Sequence, residues 1–242
     1  MLPGVPSRLE IAATPAEALS IDADAFVVID CLRATTTIAA LFAGGLRTLW
    51  AVAEIDQARE IAARERALLF GEVGGLPPPG FDFGNSPVDA RSAPVAGRDA
   101  VLFTTNGTLA LTSLVGKGAV FAGAVVNGSA VLDAVAGFDR VTFVCAGETK
   151  GTRFALEDFG AAAHLAQLAK LRWNLAELGD LAILAMELTE PLSLIPRSRH
   201  AAVTRALGFE RDIEFAVMPD SCPVAPRITS HGPGFVLLEV AP

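Results

Sequence analysis

A chain of 242 residues with 52% hydrophobic side chains can bury a full core without disulfide help, and its apolar residues fall in short stretches punctuated by Gly, Asp and Asn, which implies a large core and no membrane span. A formal net charge of −8 opposes non-specific nucleic-acid binding, which relies on Lys and Arg neutralising phosphates. Three cysteines, Cys31, Cys145 and Cys222, have no short Cys-x-x-Cys spacing, and an odd count argues against a disulfide framework and for buried thiols.

The first ten residues, MLPGVPSRLE, lack the basic start and apolar run of a secretory signal, so a cytoplasmic protein is expected. Apolar runs then recur at 25–30, 47–52, 67–72, 99–105, 118–123 and 140–147, of the kind that suits strands covered on both faces. Helical segments are predicted between them at 35–42, 54–66, 108–115, 129–136 and 156–172. In the last of these Phe159, Ala162, Ala163, Ala166, Ala169 and Leu171 recur with an approximate 3.6 period behind Glu157 and Asp158. The most apolar window, 118–137, is interrupted by Asn127, Ser129 and Asp133 and reads as strand, turn and helix. Residues 75–87, GLPPPGFDFGNSP, carry too much Pro and Gly for regular structure, with Pro87 placed to open a helix capped by Ser86. Beyond 172 the pattern reads as mostly helical over 175–206, broken by Pro191 and Pro196, then an apolar run at 213–217 and a final strand at 234–240. The expected fold is α/β, a three-layer α/β/α arrangement around a mostly parallel or mixed sheet, forming a single domain over 1–242.

Ligands of α/β sheets bind beyond the carboxyl ends of the strands, so the polar residues after each apolar run carry the functional information. The first run ends at Asp30, followed by Arg33 and the threonines Thr35, Thr36 and Thr37. The third ends at Glu72, with Asp82, Asn85 and Ser86 just downstream. The fourth ends in Thr104, Thr105, Asn106, Gly107 and Thr108, where the apolar helical pattern that follows argues for a strand-to-helix turn. A later strand ends at Gly147, ahead of Glu157 and Asp158. Hard oxygen donors of this kind suit Mg²⁺, which takes one or two carboxylates and fills its other positions with water or phosphate oxygens. The turn TTNGT offers hydroxyls and backbone amides to an anion, so metal-assisted phosphate chemistry is the natural expectation. The bland alternatives are an N-cap role for each Asp and a simple Asp30–Arg33 pair.

Familiar phosphatase signatures do not fit. The run Asp22-Ala23-Asp24 precedes its apolar strand instead of following it, Cys222 and Arg227 are too closely spaced around two prolines for a cysteine-phosphatase loop, and Arg199-His200 lacks the glycine of a histidine phosphatase. There is no phosphate loop of the G-x-x-x-x-G-K-[ST] type, no strand-linked G-x-G-x-x-G and no His pair at metal-ligand spacing. His164, His200 and His231 each read as structural or exposed.

The ordered series VVIDCLRATTTIAAL (27–41), GE (71–72), GFDFGNSP (80–87), TTNGT (104–108), VVNGSAV (125–131), VCAG (144–147) and FALEDFGA (154–161) resembles the 2-phosphosulfolactate phosphatase family, with a looser match through Asp212-Ile213-Glu214-Phe215. The resemblance implies Mg²⁺-dependent hydrolysis of 2-phosphosulfolactate to sulfolactate and phosphate, a step toward coenzyme M, on a family-specific three-layer fold and in a homodimer. Carried over by position, it implies Asp30, Arg33, Glu72, Asp82, Asn85, Ser86, Thr105, Asn106, Gly107, Thr108 and Asp158 as site residues. Asp30, Glu72, Asp82 and Asp158 are then the candidate metal ligands, Asp30, Arg33, Glu72 and Asp82 the catalytic candidates, and Thr35 joins the phosphate-binding set. Asp30 is left open as nucleophile, general base or ligand. The sequence departs from the family pattern at Val73, where an Arg is common, and at Phe103, where the threonine run tends to extend. Val73 puts sulfonate recognition in question and keeps open a phosphatase for another small phosphorylated hydroxy acid. A non-catalytic anion-binding protein is the alternative of another class, and the joint presence of four acidic positions favours the enzyme.

Overall fold

A computed structural model describes residues 5–241. The chain runs β1 (Arg8–Ala12), α1 (Pro15–Ala18), β2 (Ala25–Ile29), α2 (Ala34–Ala43), β3 (Thr48–Val52), α3 (Ile55–Glu65), β4 (Leu68–Gly71), α4 (Pro87–Ser92), β5 (Asp99–Phe103), α5 (Gly107–Ser113), β6 (Ala119–Gly123), α6 (Gly128–Val135) and β7 (Arg140–Cys145). It continues with α7 (Leu156–Lys170), β8 (Glu177–Leu178), α8 (Asp180–Glu187), a 3₁₀ segment (Pro191–Arg197), α9 (Arg199–Ala206), α10 (Glu210–Ala216), β9 (Pro226–Gly232) and β10 (Phe235–Val240).

The strands form one mixed sheet in the order β4-β5-β3-β10-β9-β6-β2-β7-β1-β8. Two parallel blocks, β4-β5-β3 and β6-β2-β7-β1-β8, are built by helical crossovers, and the antiparallel ribbon of β9 and β10 joins them. The turn between β9 and β10 is too short for a crossover, which fixes that pair as antiparallel.

Alternation along β2 explains the layers. Phe26 and Val28 pack in a core with Ile38 and Leu41 of α2, Ala90 of α4 and Leu111 of α5. Val27 and Ile29 face the opposite core, with Val131 and Leu132 of α6 and Leu165 and Ala166 of α7. In the other block, Leu49 and Ala51 of β3 join the first core while Val52 packs with Ala58 and Ile61 of α3. Both faces of the sheet are therefore covered, as an α/β/α arrangement requires.

Several elements differ from the sequence reading. The apolar run at 213–217 lies largely in helix α10, and within 175–206 the chain spends Glu177–Leu178 in an edge strand. Strands β1 and β9 were not legible in the sequence. Ser86 caps α4 as expected, its Oγ accepting from the Asp89 amide. Among the described residues no helix is long and apolar enough to cross a membrane.

Candidate functional site

The carboxyl ends of β2, in one block, and of β4 and β5, in the other, border a cavity of about 260 Å³. Its walls include Asp30 and Arg33 after β2, Glu72 after β4, Asn85 before α4, Thr105 and Asn106 after β5, Glu148 after β7, and Arg199 and His200 on α9. Six of the residues expected from the sequence thus converge there: Asp30, Arg33, Glu72, Asn85, Thr105 and Asn106.

Asp30 is buried beneath the cavity. Its Oδ1 accepts from the Ala34 amide at 3.2 Å, which turns the chain into α2. Gly107 makes room for it, because a Cβ there would lie 2.5 Å from the Ala34 methyl and 2.7 Å from Asp30 Oδ2. Burial pushes the Asp30 carboxyl up to about 6; Glu72 and Glu157 reinforce the rise, while His200 and the Ala34 amide oppose it.

Arg33 does not pair with Asp30. Its Nη1 donates to Asp212 Oδ2 at 2.7 Å, its Nη2 donates to the Gly75 carbonyl at 2.7 Å, and the guanidinium lies 4.4 Å from the centre of the Phe209 ring. Asp212 Oδ1 accepts from Ser86 Oγ at 2.6 Å. Glu72 is held from both sides, Oε1 accepting from the Thr105 amide at 2.7 Å and Oε2 from the Gly75 amide at 2.8 Å. Asn85 Oδ1 is buried and has no hydrogen-bond partner.

The other expected residues stand apart from the cavity wall. The Asp82 side chain accepts from the Leu69 amide at 2.8 Å and ties the 75–87 segment back to β4. Asp158 spends both oxygens on structure, Oδ1 accepting from the Cys31 amide at 2.9 Å and Oδ2 from the Gly147 amide at 3.0 Å. Burial, with Glu157 and Asp30 close by, holds its carboxyl well above the usual range. Thr35 Oγ1 is exchanged with the backbone of Asp30, Ser86 with Asp212 and the α4 cap, and Thr108 with Thr104, so these short hydroxyls knit turns. The Thr105 and Thr108 amides of the TTNGT turn are likewise engaged, by Glu72 and Thr104 Oγ1. Among the described residues no three His, Cys, Asp or Glu side chains gather to hold a metal, so the four-carboxylate ligand set is not assembled. The oxygens that do fit a hard cation are the Glu72 carboxylate, oriented by two amides, and the unpartnered Asn85 Oδ1 on the same wall.

The sequence reading missed three residues. Glu157 is buried and takes His200 Nδ1 at 3.0 Å, bringing the imidazole to the cavity, and Asp212 fixes Arg33. Asp212 had a signal in the looser match near the C-terminus and Glu157 in its place beside Asp158, whereas His200 had none. Cys31 and Cys145 are buried, and burial raises both thiols, which leaves them as packing residues.

A family model described as 2-phosphosulpholactate phosphatase matches residues 12–231. A protein of Carboxydothermus hydrogenoformans with the name "Probable 2-phosphosulfolactate phosphatase" is 33% identical over 224 residues, covering 91% of this chain and 92% of its own. Proteins of the same name from Thermus thermophilus and a Synechococcus strain are 36% and 38% identical over 214 and 219 residues, covering 86% and 85% of this chain and 89% of each relative.

Proposed function

The chain belongs to the 2-phosphosulpholactate phosphatase family, and we propose that it is a phosphoric monoester hydrolase that converts 2-phosphosulfolactate to sulfolactate and phosphate with Mg²⁺. The observation that carries the reading is the buried Asp30 carboxyl, with Glu72, Asn85 and Arg33 around one small cavity at the strand ends.

Glu72 and Asn85 would hold the ion through the carboxylate and the unpartnered amide oxygen. Bound there, Mg²⁺ would neutralise phosphoryl charge that the acidic wall would otherwise repel. Asp30 takes a proton from the attacking water; a carboxyl raised to about 6 is ionised at neutral pH and basic enough for the task. Arg33, locked by Asp212 and the Gly75 carbonyl, presents a fixed positive charge to the ester. Glu148 and Arg199 also line the cavity, the Arg199 guanidinium standing 3.7 Å from the Glu148 carboxylate.

A second reading, hydrolysis of another small phosphorylated hydroxy acid, is favoured by Val73, which is 55% exposed at the base of a tight turn and supplies no charge. A phosphate-release panel separates the two: turnover of phospholactate or phosphoglycolate without turnover of 2-phosphosulfolactate overturns the named substrate. The homodimer and the place in coenzyme M synthesis are parts of the proposal that rest on the family resemblance, and the cytoplasmic location is a part that rests on the sequence reading.

A further inference from the structure

We infer that His200 is the general acid of the reaction, donating the proton that turns the departing ester oxygen into an alcohol, with Glu157 as its positioning residue. The inference rests on the phosphatase reading of the cavity.

Helix α9 brings His200 to the cavity that Asp30 underlies. Nδ1 of the imidazole is 3.0 Å from Glu157 Oε1, so the second ring nitrogen, Nε2, is the one left for a ligand. Glu157 stands in the first turn of α7 with its side chain only 2% exposed, and its other oxygen has no partner. A carboxylate buried with a single side-chain donor is stabilised by a charge on that donor.

The charged groups around His200 come from several elements, and Arg33 and Glu72 line the same cavity. Glu157 faces it from α7, Asp30 from the turn after β2, Glu148 from the loop after β7, and Arg199 precedes it on α9. Burial opposes the imidazolium, but the hydrogen bond and charge of Glu157, with Asp30 and Glu148, outweigh it and raise the His200 pKa above the ordinary histidine value. Asp30 and His200 therefore face one cavity as a base and an acid.

In the step, the bond between phosphorus and the ester oxygen breaks, and its electron pair stays on that oxygen. The oxygen takes the proton from His200 Nε2 and leaves as the alcohol. Water forms the new bond to phosphorus and gives one proton to Asp30. Proton exchange through solvent returns Asp30 to carboxylate and His200 to imidazolium, so the sum is ester plus water to alcohol plus phosphate.

A histidine that merely pinned α9 to α7 would serve every substrate alike, whereas a general acid matters only when the leaving oxygen needs a proton. The test compares an alkyl ester, 2-phosphosulfolactate, with 4-nitrophenyl phosphate in Mg²⁺. For His200→Gln the expected result is a fall in kcat of about 100-fold or more on the alkyl ester and a change within about threefold on the nitrophenyl ester. Equal losses on both, or no loss on the alkyl ester, overturn the assignment. The wild-type protein gives an independent reading: kcat should fall at alkaline pH for the alkyl ester and not for the nitrophenyl ester, and Glu157→Gln should move that fall to lower pH. An alkaline fall shared by both esters also overturns it. Absence of phosphate release from either ester by the wild-type protein overturns the phosphatase reading itself, an outcome distinct from a variant that treats both esters alike.

Discussion

Asp212 holds Arg33 across most of the length of the chain: Arg33 Nη1 donates to Asp212 Oδ2 at 2.7 Å, with the two side chains only 5% and 2% exposed. The pair ties the turn after β2 to α10, and Ser86 and the Gly75 carbonyl complete the network. Removing one member of a buried pair leaves the other charged and unsolvated. Asp212→Ala is expected to cost about 3–5 kcal/mol in urea unfolding, and a double-mutant cycle with Arg33→Met should recover part of it. Additive losses would contradict the coupling.

Asp30 should trade stability for chemistry. Its carboxyl is raised from 3.8 to about 6, so the folded state binds the proton more tightly than the unfolded chain. The contribution of this group to stability is therefore largest below pH 4 and is lost as pH rises to about 6. Asn can keep the bond from the Ala34 amide without ionising. Asp30→Asn is expected to abolish turnover in Mg²⁺ and, in metal-free buffer, to raise stability near pH 7.5 by about 1–3 kcal/mol, with little difference at pH 4. A destabilised variant at pH 7.5 would contradict the assignment.

The two carboxylates Glu72 and Asp82, equivalent in the sequence, should separate. Glu72 lines the cavity, whereas Asp82 secures the Leu69 amide. Glu72→Gln is expected to lower kcat/KM by about 100-fold or more and to weaken the response to Mg²⁺, as loss of an electrostatic contact in a site does. Asp82→Asn should stay within about threefold in kcat/KM and lose about 1 kcal/mol of stability. Equal effects on catalysis would return Asp82 to the site.

Gly107 is required by contact with Asp30. Gly107→Ala places a methyl 2.7 Å from Asp30 Oδ2 and 2.5 Å from the Ala34 Cβ, neither of which is the free end of a long side chain. A stability loss of about 1–3 kcal/mol together with a drop in kcat is expected, measured by thermal unfolding and phosphate release.

How much of this was legible follows from the reach of each signal. Strands such as β2 and β5 are continuous apolar runs buried on both faces, and the sequence marks them plainly. Strand β9 reads Pro-Arg-Ile-Thr-Ser-His-Gly and is largely exposed, so neither composition nor alternation identifies it. Strand β1 is a five-residue pattern whose partner, β7, lies more than a hundred residues away. At the cavity, Asp30, Glu72, Thr105 and Asn106 are legible because a strand end is a local feature. His200 and Asp212 depend on where α9 and α10 fold back, which no local pattern encodes. The hydroxyls of Thr35, Ser86 and Thr108 are spent away from the cavity wall, those of Thr35 and Thr108 on the backbone of their own turns and that of Ser86 on the α4 cap and Asp212.

Phosphate release from 2-phosphosulfolactate, followed with Mg²⁺ and then with excess EDTA, in the wild-type protein and in Asp30→Asn, tests the reading of the cavity. The expected result is turnover that needs the ion, stops with EDTA, returns when Mg²⁺ is restored, and is lost in the folded variant. Turnover unaffected by EDTA, or undiminished in Asp30→Asn, would contradict it.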